Sequence, residues 1–175
     1  MQEDQAATAS MMIFVKDSTF KMPQSFETPC VMVGPGTGLV PFIGFMQERE
    51  KAQADNEALA LGPAHLYFGC REKDTDFIYR DYMAEMKDRG VISELNLAFS
   101  RALEEGAVKT YVQNLLEQHG DMLREVVVDK AGCFYVCGAT NMGKAVELIL
   151  KEAIGEDAFK QMQKEKRYMV ELWSS

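Results

Sequence analysis

The chain has 175 residues, 47% of them hydrophobic, and its 19 basic and 27 acidic side chains give a net charge of -8. A domain of this size removes roughly 70% of its unfolded surface from water, so the composition favours one domain with one core. The acidic balance argues against a phosphate-neutralising surface, so we expect no nucleic-acid partner, although a local basic pocket is compatible with it.

The chain begins with a polar segment and an extended arm that looks like a join to something upstream. Pro23 and Pro29 bracket a short connection from this arm to the first convincing strand. We therefore divide the chain into residues 1–28, a polar N-terminus and connecting arm, and residues 29–175, the folded domain.

Five short β-rich runs alternate with helical patterns along the rest of the chain. Strands that alternate with helices of ten or more residues pair in parallel through right-handed crossovers. The sequence therefore predicts an α/β fold, a doubly wound and mainly parallel five-stranded sheet with helices on both faces. The predicted strands are 30–34, 64–70, 94–100, 133–138 and 167–173, and the predicted helices are 41–59, 76–89, 111–127 and 141–154.

A glycine-rich turn joins the first predicted strand to the first helix. Gly36, Thr37 and Gly38 lie in it, and Leu39 and Val40 follow. Glycines let a backbone approach a pyrophosphate closely, and a helix N-terminus supplies unpaired N–H groups. A turn that only satisfies tight local geometry is the alternative. A P-loop would need a Lys-Ser/Thr pair where Leu39 and Val40 stand, so ATP chemistry is not expected.

A polar cluster follows the third predicted strand. Ser100 and Arg101 come at the end of the strand, and Lys109, Tyr111 and Gln113 enter the next helix after an acidic loop. Hydroxyl, guanidinium and ammonium groups at one strand end suit a phosphomonoester, and tyrosine can stack on adenine. A solvated charged loop is the alternative.

The last two predicted strands carry a third group of candidates. Cys137 and Gly138 end the fourth strand at another glycine turn that feeds a helix, at the sheet edge where open α/β sheets hold ligands. Glu171 and Trp173 end the fifth strand. An inert buried thiol is the alternative for Cys137, and Trp173 is either a ligand cover or a core plug.

The four cysteines and two histidines do not indicate a metal site. The cysteines are sparse and form no CxxC pair, so we expect reduced thiols and no zinc. No run approaches about 18 apolar residues, and the first residues lack the pattern of a signal peptide. We expect a cytoplasmic location and no membrane contact by this chain, or the cytosolic face of a membrane if a longer polypeptide carries an anchor.

Together these motifs resemble the C-terminal NADPH-binding domain of the diflavin reductases, the NADPH-cytochrome reductase family, which is ferredoxin-NADP reductase-like. The resemblance runs from about Phe14 to Trp173. It implies a Rossmann-like sheet of order 3-2-1-4-5, with the pyrophosphate across strand one, adenosine toward strands two and three, and nicotinamide toward four and five. The matching segments are FVKDSTFKMP, VGPGTGLVPFIGFMQER, LYFGCR, NLAFSR and VCG.

The resemblance implies a role for each candidate residue. The turn with Gly36, Thr37 and Gly38 would bind the pyrophosphate, and Gly138 would border the same nucleotide. Ser100, Arg101 and Lys109 would hold the 2′-phosphate, with Tyr111 on the adenine and Gln113 alongside. Cys137 and Glu171 would line the hydride-transfer site, and Trp173 would stack over the flavin until nicotinamide displaces it.

The implied function is an NADPH-dependent flavoprotein oxidoreductase. NADPH would pass hydride to FAD, and electrons would go on through FMN or directly to an acceptor protein. The Arg-x-Tyr-Ser and Gly-x-x-Ser segments that hold FAD in this family, and the FMN module, are not found in this sequence. FAD-binding and FMN-binding modules of the same polypeptide are therefore the implied partners of residues 29–175. We expect the chain alone to bind NADPH and to reduce nothing.

Two alternatives remain beside this interpretation. One is a single-flavin ferredoxin-NADP-type reductase, and the other is a non-catalytic NADP(H)-sensing module. A sensor needs the phosphate clamp and no hydride-transfer residues, so the joint presence of Cys137, Glu171 and Trp173 favours the enzyme. Departures from the family pattern are the longer loop between Arg101 and Lys109, Glu171 in place of the commoner aspartate, and a CGATNM turn that is short and lacks an aspartate.

Overall fold

The computed structural model describes residues 11–101 and 109–174. Among these residues, no helix combines the length and the hydropathy that a membrane crossing requires. The elements in chain order are β1 (Cys30–Val33), a 3-10 turn (Gly36–Leu39), α1 (Val40–Asp55), β2 (Ala64–Cys70), α2 (Arg80–Asp88), β3 (Glu94–Phe99), α3 (Val112–Gln118), α4 (Gly120–Arg124), a π-helical turn (Glu125–Asp129), β4 (Cys133–Ala139), α5 (Thr140–Ile154), α6 (Glu156–Lys164) and β5 (Tyr168–Trp173).

The five strands form one sheet of order β3-β2-β1-β4-β5, and each neighbouring pair is parallel. The predicted fold class and strand order are confirmed. β1 lies in the centre, where Cys30 is in register with Ala64 of β2 and with Cys133 of β4. The chain leaves β1 toward β2 on one side and returns to β4 on the other. The carboxyl ends of β1 and β4 therefore flank the crevice in which such sheets bind ligands.

The sheet separates two hydrophobic clusters, and alternate residues of the central strand supply both. Val31 and Val33 pack with residues of α3 to α6, whereas Cys30 and Met32 pack with residues of α1 and α2. All four residues of β1 are buried. A parallel strand that is covered on both faces is apolar throughout, which explains why β1 reads as a continuous hydrophobic run.

Two predicted helices are longer in the sequence interpretation than in the structure. α1 ends at Asp55 and not at residue 59, because Asn56 is extended and its Oδ1 accepts a hydrogen bond from the N–H of Ala58 at 3.2 Å. Such a side-chain turn competes with helix continuation. α2 begins at Arg80 and not at residue 76, because Tyr79 before it has a left-handed φ of 53°.

The predicted helix 111–127 is three shorter pieces, and one helix was not predicted. α3 ends at a tight turn in which the N–H of His119 donates to the carbonyl of Leu116 at 3.0 Å, and α4 starts at Gly120. α6 follows α5 after Gly155, whose φ of 87° redirects the chain. α6 was missed because it has only nine residues, and charged residues surround its two buried side chains.

The N-terminal arm packs on the domain through an aromatic cluster. The ring of Phe20 lies 5.8 Å from those of Phe42 and Phe45 and 5.4 Å from that of Tyr135, between centroids. The hydroxyl of Tyr135 donates to the carbonyl of Lys21 at 2.9 Å. These contacts attach the arm to α1 and β4.

A buried arginine holds the end of the arm. Arg49 of α1 is 2% exposed, and its guanidinium donates to the carbonyls of Val91 at 2.9 Å, Gly62 at 2.6 Å and Phe26 at 3.3 Å. Three carbonyl acceptors provide the polar partners that a buried guanidinium needs. Arg49 therefore links the end of the arm to the segments that contain Gly62 and Val91. The division of the chain after residue 28 stays a prediction.

Candidate functional site

The glycine turn after β1 is packed between the ends of three strands. The N–H of Gly34 donates to the carbonyl of Tyr67 in β2 at 3.0 Å. A Cβ on Gly38 would overlap the carbonyl oxygen of Cys137 in β4, whereas a Cβ on Gly36 would meet nothing within 4 Å. Gly36 has a φ of 57°, which glycine adopts without strain. The turn is therefore closed toward the sheet and open on its outer side.

A cavity of about 640 Å³ opens beside this turn at the carboxyl ends of β2 and β3. Its volume is within the range of small-molecule sites. Gly36, Thr37, Ser100 and Tyr111 line it, so the structure brings four of the predicted site residues together. Among the described residues, the lining does not include Arg101, Lys109 or Gln113. The remaining lining residues are Pro35, Gly69, Cys70, Arg71, Thr75, Asp76, Ile78, Ala98, Thr110, Val112 and Ala139.

Backbone hydrogen bonds fix the cluster that follows β3. The N–H of Ser100 donates to the carbonyl of Cys70 at 3.0 Å, and that of Arg101 donates to the carbonyl of Arg71 at 2.8 Å. The N–H of Thr110 donates to the carbonyl of Phe99 at 3.0 Å. Ser100 and Arg101 therefore keep the pairing with β2 beyond the strand end. Residues 102–108 of the predicted phosphate loop lie outside the described residues.

Tyr111 presents a ring face beside this cluster. It is 45% exposed, and the Nζ of Lys109 lies 5.2 Å from its ring centroid. The backbone N–H of Tyr111 donates to Oδ1 of Asn114 at 3.0 Å, which fixes the start of α3. Gln113 is half-buried in the first turn of that helix. The arrangement combines a cation with an aromatic face, which suits an adenosine phosphate.

A second set of predicted residues lies at the carboxyl ends of β4 and β5. Cys137 is in register with Glu171, and Ala139 is in register with Trp173. Cys137 is 2% exposed, and burial, with a further contribution from Glu171, raises the pKa of its thiol to about 11. The thiol is therefore neutral at physiological pH. Trp173 is 40% exposed.

Another cavity, of about 660 Å³, adjoins this second set. The arm residues 16–20, Pro41 at the start of α1 and Glu171 line it. Gly138 is the second-last residue of β4 and has a φ of 151°, and a Cβ there would come 2.6 Å from Cε of Met142. Glycine at this position lets β4 turn directly into α5.

The loop between β2 and α2 supplies functional candidates that the sequence interpretation missed. Arg71, Asp76 and Ile78 line the first cavity. The N–H of Glu72 donates to Oδ2 of Asp76 at 3.2 Å, and the N–H of Asp76 donates to the carbonyl of Glu72 at 3.1 Å, so the loop is closed on itself. Arg71 could have been found from the sequence, because it directly follows a predicted strand at the ligand-binding edge of the sheet.

Metal chemistry finds no support in the described part of the chain. No group of three or more His, Cys, Asp or Glu side chains there could hold an ion. The functional candidates are thus a glycine turn and two cavities, one on each side of the switch point.

The fold and this turn define a dinucleotide-binding α/β domain, since the glycine turn lies at the switch point of a doubly wound sheet. Residues 32–148 match the family model of the oxidoreductase NAD-binding domain, and the chain belongs to that family.

Curated relatives agree with this assignment. NADPH–cytochrome P450 reductase of Drosophila melanogaster is 41% identical, over 93% of this chain and 25% of that protein. The enzyme of the same name from Aspergillus niger is 40% identical, over 93% and 24%. Methionine synthase reductase of Rattus norvegicus is 39% identical, over 90% and 25%. The chain spans about a quarter of the length of these relatives. The predicted resemblance to a domain of the NADPH-cytochrome reductases is confirmed.

Proposed function

We propose that this domain binds NADPH and holds its nicotinamide for hydride transfer to an FAD bound by another part of a flavoprotein oxidoreductase. Electrons then pass through FMN, or directly, to an acceptor protein. The relatives support this proposal, because they are named as reductases of cytochrome P450 and of methionine synthase, and the former are named for NADPH. Bound NADPH supplies the hydride, and the protein supplies binding and orientation.

The contact between Gly38 and the carbonyl of Cys137 carries the proposal. It joins the pyrophosphate turn directly to the strand that holds the thiol. A dinucleotide whose pyrophosphate lies on this turn has one arm toward the β2–β3 cavity and the other toward the ends of β4 and β5. Gly36, with open space on its outer side, lets the phosphates approach the backbone.

The adenosine end is assigned to the cavity beside β2 and β3. Ser100 lines this cavity, and Arg101 and Lys109 do not line it but each directly adjoins a lining residue in the chain. The three supply a hydroxyl, a guanidinium and an ammonium group for the 2′-phosphate, and Arg101 offers a planar fork of donors. Tyr111 supplies a half-exposed ring for the adenine. These residues distinguish NADPH from NADH, because only NADPH carries the 2′-phosphate.

The nicotinamide end is assigned to Cys137 and Glu171. A thiol whose pKa is about 11 is protonated at neutral pH, so Cys137 acts as a positioning and polarising group and not as a nucleophile. Glu171 lies at the same level on the neighbouring strand. Trp173, which follows Glu171 by two residues in β5, covers the flavin until nicotinamide takes its place.

An NADP(H)-sensing module is the competing function from another class. Such a module needs the 2′-phosphate cluster and has no use for a thiol, a carboxylate and an exposed indole at the other end. A single-flavin reductase uses the same domain, and the sequence upstream in the native gene separates it from a diflavin enzyme.

Calorimetry of the isolated domain with NADP+ and with NAD+ tests the proposal. We expect NADP+ to bind well and NAD+ poorly. Arg101→Ala should cost about 2 to 3 kcal/mol with NADP+, the scale of a charge-assisted hydrogen bond, and almost nothing with NAD+.

Arg124→Ala is the matched control, since it removes the same charge from α4, where Arg124 donates to the carbonyl of Ala153. It should leave both affinities unchanged. Equal affinities of the wild-type domain for NADP+ and NAD+ would refute the 2′-phosphate assignment.

A further inference from the structure

The first residue of α5 contacts the last residue of β5. Thr140 Oγ1 donates a hydrogen bond to the backbone carbonyl of Trp173 at 3.0 Å. The two residues are 33 positions apart in sequence, and the preceding Ala139 is the register partner of Trp173. The bond therefore connects the helix that leaves the sheet to the strand end that carries the only tryptophan of the chain.

The end of the sheet explains how a side chain can pair with this carbonyl. β4 ends at Ala139, the register partner of Trp173, and the chain turns into α5 at Thr140, so β4 does not extend beyond Trp173. Backbone carbonyls are acceptors that must be paired or solvated. The Thr140 hydroxyl supplies a donor where the ladder stops. It does not cap its own helix, because the N-cap residue is Ala139.

A second contact fixes the residue before the tryptophan. A Cβ on Gly143, one turn into α5, would come 2.6 Å from Cδ1 of Leu172, so the glycine backbone packs directly against that leucine. Leu172 is half-buried against the core, whereas Trp173 is 40% exposed. α5 thus contacts the strand end at the backbone carbonyl of Trp173 and at the side chain of Leu172, while Trp173 stays partly exposed.

We propose that Thr140 is a positioning residue that holds Trp173 at the nicotinamide end and thereby controls how readily the indole moves aside. The holding role depends only on the hydrogen bond. The control of nicotinamide access rests on the proposed function, because it requires Trp173 to cover the site that nicotinamide takes.

Fluorescence of the isolated domain tests the holding role without any ligand. Trp173 is the sole tryptophan, so selective excitation reports on this residue alone. Thr140→Val keeps the β-branched shape and removes the donor. Loss of one neutral hydrogen bond should shift the balance from held to released strand end by about fivefold. We expect faster depolarisation and stronger acrylamide quenching. Thr140→Ser, which keeps the hydroxyl, should restore the wild-type signal.

Nucleotide binding tests the second step. NADPH and 2′-phospho-ADP-ribose share the adenosine end and differ in the nicotinamide. Thr140→Val should raise the affinity for NADPH relative to 2′-phospho-ADP-ribose, by up to the same factor of about five, and leave binding of the latter unchanged. Thr140→Ala repeats the loss of the donor if valine disturbs folding.

The outcomes separate the two steps. Unchanged tryptophan fluorescence in both donor-free variants would overturn the holding role. A fluorescence change with an unchanged affinity ratio would overturn the control of nicotinamide access, and with it the cover role of Trp173. Failure of the wild-type domain to prefer NADP+ over NAD+ would instead refute the proposed function, without touching the hydrogen bond.

Discussion

The two ends of the candidate site differ in how completely this chain builds them. The cavity beside β2 and β3 is walled by a closed loop, by strand extensions with backbone hydrogen bonds and by the start of α3. At the other end, Cys137 is buried, but Glu171 and Trp173 on the edge strand are exposed. We infer that the first end binds its ligand alone and that the second becomes complete only against a flavin-binding partner.

The largest expected effect comes from the residue that joins the two ends. A Cβ on Gly38 would overlap the carbonyl oxygen of Cys137, which belongs to a strand that cannot move without the sheet. Gly38→Ala should lower the free energy of unfolding by about 3 kcal/mol. It should also weaken NADP+ binding by more than about tenfold. Urea unfolding and calorimetry measure the two effects.

Gly44→Ala is the matched control within the same segment. Gly44 lies inside α1, and a Cβ there would meet nothing within 4 Å. Alanine should therefore raise the free energy of unfolding by about 0.5 to 1 kcal/mol, because it restricts the unfolded chain. Binding should not change. Equal behaviour of the two variants would mean that Gly38 does not connect the turn to β4.

The sequence predicted the sheet more completely than the site, for a physical reason. β1 and β4 are buried on both faces and read as apolar runs, so their place and order follow from the alternation of strands and helices. Several polar candidates were found near the ends of predicted strands, but Arg71, which directly follows β2, was missed. Ile78 was missed because the sequence predicts a helix over 76–89, whereas Ile78 lies in the loop between β2 and α2 and lines the cavity from there.

Tertiary contacts explain the other misses. The bond from Thr140 to Trp173 joins residues that are far apart in sequence, so no local pattern indicates it. Cys137 and Glu171 were placed at one site by the family resemblance, but their exact alignment depends on the register of β5. Register is set by packing of the whole strand and not by the residues of the site.

The second prediction tests whether the adenosine end binds alone. In the isolated domain, 2′,5′-ADP should bind within about tenfold of NADP+, because the nicotinamide adds little without its partner. Tyr111→Ala should weaken both ligands by about 1 to 3 kcal/mol, the range for base stacking on an aromatic ring. Competition titration measures both. Tyr79→Ala is the control, since Tyr79 is similarly exposed and is not among the cavity-lining residues.

The opposite result would reverse the comparison. If 2′,5′-ADP bound far more weakly than NADP+, the nicotinamide end would already be complete in this chain. If Tyr111→Ala had no effect on either ligand, adenine would lie elsewhere in the cavity.

The third prediction concerns Trp173 as a cover or a core plug. The side chain is 40% exposed on an edge strand, so Trp173→Ala should lower the free energy of unfolding by roughly 1 to 2 kcal/mol. Phe159→Ala, at a ring that is 1% exposed, should cost roughly 3 to 5 kcal/mol. Thermal unfolding compares them. A loss for Trp173→Ala as large as that for Phe159→Ala would make the tryptophan structural.

The smallest expected effect is a difference in pH dependence between the two ends. Burial raises the pKa of the Cys137 thiol from 9.0 to about 11, whereas an unfolded thiol ionises near its ordinary value. The folded state therefore binds more protons than the unfolded state between these values, and stability falls as pH rises from 9 to 11. Below pH 9 both states keep the proton, so the contribution is fully present and does not change.

This alkaline slope is proportional to the difference in the number of protons bound by the folded and unfolded states. Cys137→Ala should reduce that difference by up to about one proton. Cys70→Ala at the adenosine end should reduce it less, because Cys70 is only half-buried, although burial and Asp76 raise its pKa as well. Urea unfolding of the two variants and the wild-type domain at several values between pH 8 and about 11 measures the slopes. An unchanged slope for Cys137→Ala would show that its thiol ionises as readily when folded as when unfolded. The Cys137 thiol would then ionise near its ordinary pKa of 9.0, and the conclusion that burial raises that pKa would be wrong.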